Sequence, residues 1–171
     1  MPQAPQTQSP ILDPARLDER PQVFEETLPS GAFPRLMESL ANGDGELRYR
    51  VSARLGRERQ KEVSCIIEGF VFLTCQATLD TFRHPVSIDD RLVLVDSEAA
   101  LPPIEEEADT EDYLVADGPI EIRELVEDAV ILALPMVPRK PGIEESQSRA
   151  RPAAEKGPSP FAKLASLKKS K

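Results

Sequence analysis

The ten residues ELRYRVSARL (46–55) alternate strictly, with Leu47, Tyr49, Val51, Ala53 and Leu55 set against Glu46, Arg48, Arg50, Ser52 and Arg54. A period of two sends the two sets to opposite faces, so the segment predicts a half-buried strand whose wet face carries three arginines in line. The basic stretch GRERQK (56–61) predicts a turn. EVSCIIEGFVFLTC (62–75) is rich in β-branched and aromatic residues and predicts a returning strand, bent at Gly69. TFRHPVSI (81–88) and RLVLVDS (91–97) predict two more strands separated by a turn at Asp89–Asp90, and YLVA (113–116) an edge strand before the turn at Asp117–Gly118. Strands that follow one another through short turns favour an antiparallel sheet.

The period changes in PIEIRELVEDAVILALP (119–135). Ile122, Leu125, Val126, Ala129 and Ala133 fall at helical spacing, Ile131, Leu132 and Leu134 widen the stripe, and Pro135 stops the helix. Glu121 and Glu124 lie near the positive end of its dipole. Such a helix can cover one face of the sheet. AFPRLMESLA (32–41) predicts a short helix with Pro34 in its first turn, and NGDG (42–45) a turn. The predicted fold is α+β: a mainly antiparallel sheet from residues 46–96 covered by the 120–134 helix, with a helical segment at 33–41. The expected domain layout is a disordered N-terminus (1–10), an α+β domain (11–138), a flexible linker (139–158) and a basic amphipathic tail (159–171).

Charge changes this picture most. The chain of 171 residues has a net charge of −9, yet residues 139–171 hold nine Lys/Arg against three acids. Residues 96–128 hold thirteen acids and only Arg123, whereas residues 47–61 hold six bases and one acid. In the tail, Ser159–Pro160 reads as an N-cap and first-turn proline, after which Phe161, Leu164 and Leu167 share one helical face among Lys163, Lys168, Lys169 and Lys171. About eleven residues are too few for a stable isolated helix, so this segment folds only against something.

Candidate chemistry is sparse. The chain has one histidine, His84, no Gly-rich phosphate loop and no nucleophile elbow. Cys65, Cys75 and His84 offer at most three soft ligands where a structural zinc site wants four, and the acids Glu105–Glu107 lack a calcium-loop glycine. No catalytic residue, metal site or cofactor is therefore expected. No apolar run approaches the roughly 20 residues needed to span a bilayer, and MPQAPQTQSP has no signal-peptide character. Two cysteines make no disulfide framework, which fits a cytoplasmic protein. The six bases Arg48, Arg50, Arg54, Arg57, Arg59 and Lys61 form the candidate RNA contact, because guanidinium groups in line on one strand face can pair with successive phosphates. Lys163, Lys168 and Lys169 are a second basic contact, with Phe161, Leu164 and Leu167 anchoring the tail to a partner. A charged strand face also serves as plain edge protection.

Three blocks in order, LDPARL (12–17), LVEDAVILALPMVP (125–138) and PFAKLASLKKSK (160–171), resemble the bacterial YceD family, the large ribosomal RNA subunit accumulation proteins. The resemblance implies a non-enzymatic role in accumulation, processing or assembly of the large-subunit 23S rRNA. The expected partner is that rRNA or a pre-ribosomal particle, with no membrane and no small-molecule substrate. Two readings compete: direct RNA binding, and a protein-binding adaptor that reaches rRNA only through a ribosomal protein. A nuclease or RNA-modifying enzyme is a third, less supported by the residues. Many family members carry a C-x-x-C pair where this chain reads CQAT, so Thr78 stands in place of the second cysteine and no metal or redox role carries over. Cys75 is then expected to be a buried small hydrophobe.

Overall fold

The computed structural model describes residues 9–56, 59–102 and 112–142. The chain divides into two units, Met1–Pro138 and Arg139–Lys171, and the elements below all belong to the first. The expected disorder of residues 1–10 and the linker and tail expected over 139–171 fall almost wholly outside the described residues.

The alternation in residues 46–55 makes the central strand. In β3 (Asn42–Leu55) Leu47, Tyr49, Val51 and Ala53 are fully buried, while Arg48, Arg50 and Arg54 are exposed. The strand pairs on one side with β2 (Gln22–Pro29) and on the other with β4 (Lys61–Thr74), both antiparallel. β4 pairs antiparallel with β5 (Thr81–Val95), and β5 pairs in parallel with the short edge strand β6 (Asp112–Val115). The result is a five-stranded, mainly antiparallel sheet in the order β2-β3-β4-β5-β6. A separate two-stranded ribbon joins β1 (Ile11–Leu12) to β7 (Ile120–Glu121).

Among the described residues only one face of the sheet is covered. The helix α2 (Ile122–Ala133) turns Ile122, Leu125, Val126 and Val130 inward and packs on β4 and β5. It also meets α1 (Pro34–Met37), whose Leu36 is fully buried. One buried acid on α2 makes this joint specific. The Glu127 carboxylate accepts hydrogen bonds from the backbone amides of Arg35 (2.6 Å) and Leu36 (2.9 Å) and from the Arg35 Nε (3.0 Å). It thereby satisfies donors that open the first turn of α1. The next residue, Asp128, takes the other branch of the guanidinium at 2.7 Å.

A second polar tie crosses the same layer. The fully buried Tyr49 donates its hydroxyl to Glu26 Oε2 (2.8 Å), and Arg123 bridges Glu26 at 2.9 Å. Burial first, and then the Glu26 carboxylate, pushes the Tyr49 phenol up to about 12. Arg123, the lone base of the acidic stretch, thus fastens α2 to β2 and β3.

The structure differs from the sequence reading in four places. Residues 22–29 form a strand that the prolines at 21, 29 and 34 obscured; Pro21 and Pro29 stand at its two ends, where they interrupt no central ladder. NGDG is not a turn but an irregular start of β3, where the register with β4 shifts between Asn42 and Glu46. The 33–41 helix is confined to Pro34–Met37. The turn at Asp89–Asp90 does not exist: β5 runs unbroken from Thr81 to Val95, with Asp89 opposite Ile66 and Asp90 opposite Cys65. β4 runs unbroken through Gly69, whose φ is +151° and where a Cβ would lie 2.1 Å from the Glu46 carbonyl oxygen.

Candidate nucleic-acid interface

The uncovered face of the sheet holds the arginines. Register places Arg48, Arg50, Ser52 and Arg54 of β3 beside Thr27, Glu25 and Val23 of β2, and beside Glu68, Ile66, Ser64 and Glu62 of β4. Beyond β4 the same face continues with Arg83, Ser87, Asp89 and Arg91 of β5. The sequence reading missed Arg83 and Arg91. The presumed turn at 89–90 broke the phase of two that puts both on this face.

Sequence reasoning expected a rim of uncompensated positive charge, and the face does not carry one. Arg48, Arg50, Arg54, Arg83 and Arg91 are interleaved with Glu25, Glu46, Glu62, Glu68 and Asp89. Arg48 reaches across to Glu25 in an ion pair, and its hydrogen bond and charge hold that carboxyl below its ordinary value, with Arg50 adding to the effect and burial opposing it. Arg54 donates through Nε (3.0 Å) and Nη2 (2.8 Å) to one oxygen of Glu62 directly opposite. Lys61 is ion-paired with Asp96. Arg59 is exposed near the tip of the β3–β4 hairpin with φ +61°. Arg57, Lys163, Lys168, Lys169, Phe161, Leu164 and Leu167 lie outside the described residues.

Among the described residues Arg50, Arg83 and Arg91 of this face form no salt bridge, and Arg50 and Arg91 border an open trough of about 540 Å³. Its bottom is small and polar: Ser52 and Ser64 face each other across β3 and β4, and Ser64 faces Arg91 across β4 and β5. At the other end of the face, Arg83 lies over the Phe70 ring with its guanidinium carbon 3.9 Å from the centroid, and Phe72 meets Phe70 edge-on at 5.7 Å.

The residues that carry chemistry elsewhere are placed structurally here. His84 is half-buried on β5 with its ring edge-on to Phe82 at 6.4 Å, and burial lowers its pKa. Cys65 and Cys75 are buried thiols, and burial pushes Cys65 up to about 12. Thr78 sits in the exposed turn between β4 and β5, where its hydroxyl accepts from the Asp80 amide (3.5 Å). No group of three or more metal-ligating side chains occurs among the described residues, and no helix there is long and apolar enough to cross a membrane.

The V-E-D block has a physical content in this fold: Val126 fills the core, Glu127 locks α1 and Asp128 holds Arg35. No solved structure matches the chain. Residues 63–168 match the family described as large ribosomal RNA subunit accumulation protein YceD, a segment that includes Arg83 and Arg91 but begins after β3. With well over half of its length in that match, the chain belongs to the YceD family.

Proposed function

We propose that the protein promotes accumulation of large-subunit rRNA in the cytoplasm as a non-enzymatic factor that grips rRNA on the open face of its sheet. The observation that carries this reading is the trough in which Arg50 and Arg91 flank Ser52 and Ser64. Unpaired guanidinium forks beside hydroxyl donors match the oxygens of a phosphodiester in number and kind. The paired arginines contribute as well. Exposed ion pairs contribute little to stability, so Arg48 and Arg54 can exchange their carboxylates for phosphates at small cost. The interleaved acids then act as a filter: they weaken attraction to any polyanion and leave a geometry-dependent exchange. Arg57, Arg59 and Lys61 extend the contact past the hairpin, Lys163, Lys168 and Lys169 supply a second basic contact, and Phe161, Leu164 and Leu167 anchor the tail to protein.

Binding of purified protein to isolated 23S rRNA fragments, measured over a salt series, tests this. Replacing Arg50 and Arg91 by Ala weakens binding and flattens the dependence of log affinity on log salt by about 0.7 per lost single-strand phosphate contact. Replacing Glu25 and Glu62 by Gln releases Arg48 and Arg54 and tightens binding. Affinity unmoved by both pairs of changes sinks the proposal and leaves the adaptor reading.

A further inference from the structure

On the opposite side of the sheet from the arginines, α2 does not cover everything. Between α2, the end of β5 and the β6–β7 connection lies a cleft of about 940 Å³. That is the upper end of the size range of ligand pockets, roughly 300–1,000 Å³. Its lining is about half apolar: Leu92, Leu114, Ile120, Leu125, Ala129 and Leu132 contribute, with the Cys65 thiol among them. Leu132 is 85% exposed at the edge of the cleft, open to an incoming side chain.

The rim is of one sign. Asp90, Asp112, Asp117, Glu121, Glu124 and Asp128 line the cleft, and among the described residues no Lys, Arg or His does. Asp128 is answered by Arg35 from outside. The other five form no salt bridge among the described residues. Burial, and then the charges of Asp112 and Asp89, hold the Asp90 carboxyl above its ordinary value. Every residue of the cleft falls within the segment that matches the family.

We infer that this cleft docks a cationic, leucine-bearing peptide segment of a partner protein. The charge complementarity is one-sided enough to select such a segment, and the apolar part of the lining takes its aliphatic side chains. Such segments are what rRNA-binding proteins present, since neutralising phosphates requires runs of Lys and Arg. A factor of this family that holds one on an acidic surface keeps it off rRNA until the two are brought together. The inference draws on the family role and is independent of the arginine face.

The probe is a fluorescein-labelled peptide of about 14 residues with leucines at helical spacing among lysines and arginines, titrated with the full chain by fluorescence anisotropy. Controls are an all-lysine peptide and a version with glutamate for every basic residue. The leucine-bearing cationic peptide binds, the acidic one does not, and the all-lysine one binds at least about tenfold more weakly. Asp117→Asn with Glu121→Gln and Glu124→Gln weakens binding about tenfold or more, as does Leu132→Ser. All four positions are exposed, so circular dichroism should show an unchanged fold. Arg50→Ala with Arg91→Ala leaves peptide binding as it was, which separates this site from the RNA face. Equal binding of the all-lysine peptide, or indifference to Leu132→Ser, reduces the cleft to bulk charge and overturns the inference. So does binding that appears only when Lys163, Lys168 and Lys169 are replaced by Ser, since the chain's own cationic residues would then be the occupant.

Discussion

Replacing Glu127 by Ala is the sharpest probe of what holds α1 and α2 together. The side chain is 5% exposed and accepts three hydrogen bonds, two of them from backbone amides. Alanine leaves the Leu36 amide without an acceptor beside a fully buried Leu36 side chain. The Arg35 amide is part-buried and water can reach it. A buried donor left unsatisfied costs about 1–3 kcal/mol, and a solvated one much less. Adding the void left by the side chain, the expected loss is about 3 kcal/mol, a large share of the roughly 5–15 kcal/mol that holds a domain folded. The melting midpoint falls by about 10 °C at this size. Chemical denaturation followed by circular dichroism measures it, with Asp128→Asn as the internal comparison. Asp128 also pairs with Arg35, but in the open, and its replacement leaves the midpoint nearly unmoved. Equal shifts for the two substitutions would mean that the carboxylate-to-amide bonds do not hold α1, and the reasoning fails.

Three further outcomes are expected. Gly69→Ala destabilises by about 2–5 kcal/mol in denaturant melts, because its φ of +151° suits glycine alone and the added Cβ meets the Glu46 carbonyl oxygen at 2.1 Å; an unchanged midpoint refutes the close approach. Asp90→Asn stabilises at pH 7. The raised native pKa means that folding favours the protonated acid, so its contribution is present in acid and lost as pH rises through the native value; the gain must shrink as thermal melts move towards pH 4, and a constant gain contradicts it. Iodoacetamide at pH 8 modifies neither Cys65 nor Cys75 until the chain is unfolded, since both are buried and the Cys65 thiol stays protonated up to about 12; labelling of the native protein, read by mass spectrometry, is the contrary result.

The parts of the fold that were legible in the sequence are those where one period holds over a long run. Residues 46–55 show an uninterrupted period of two and residues 120–134 a stripe at helical spacing; they became β3, which starts earlier at Asn42, and α2, Ile122–Ala133. The parts that were not legible are those where local chemistry and tertiary pairing disagree. Asp89–Asp90 has the composition of a turn, but Asp90 pairs in register with Cys65 inside a fifteen-residue strand, and the neighbouring strand decides its conformation. NGDG has the same composition and is held in the sheet through the Ala41 amide bound to the Phe72 carbonyl (2.8 Å) and the Asn42–Phe72 pairing. β2 was hidden because its prolines stand at its ends and its polar residues are the partners of β3. For the site, the stripe of arginines was read from β3 alone. Its answering carboxylates come from other strands, and only the register reveals that Glu25 and Glu62 stand beside Arg48 and Arg54.

The same register explains how an acidic chain can hold two surfaces of different electrostatic character without one cancelling the other. A sheet puts alternate residues of each strand on opposite faces, so the sign of charge on one face places no constraint on the other. On the open face, each strand's acids and bases are offset so that neighbours compensate, and net attraction for a polyanion is low until individual pairs are exchanged. On the covered side, the acids cluster between α2 and β6, with no base among the described lining residues. Long-range attraction falls off over a Debye length of about 8 Å at physiological salt, comparable to the thickness of one sheet and its side chains. On the function proposed, the acidic cleft therefore repels a polyanion mainly on its own side, which leaves the arginine face to engage RNA by contact while the cleft draws cationic segments by field.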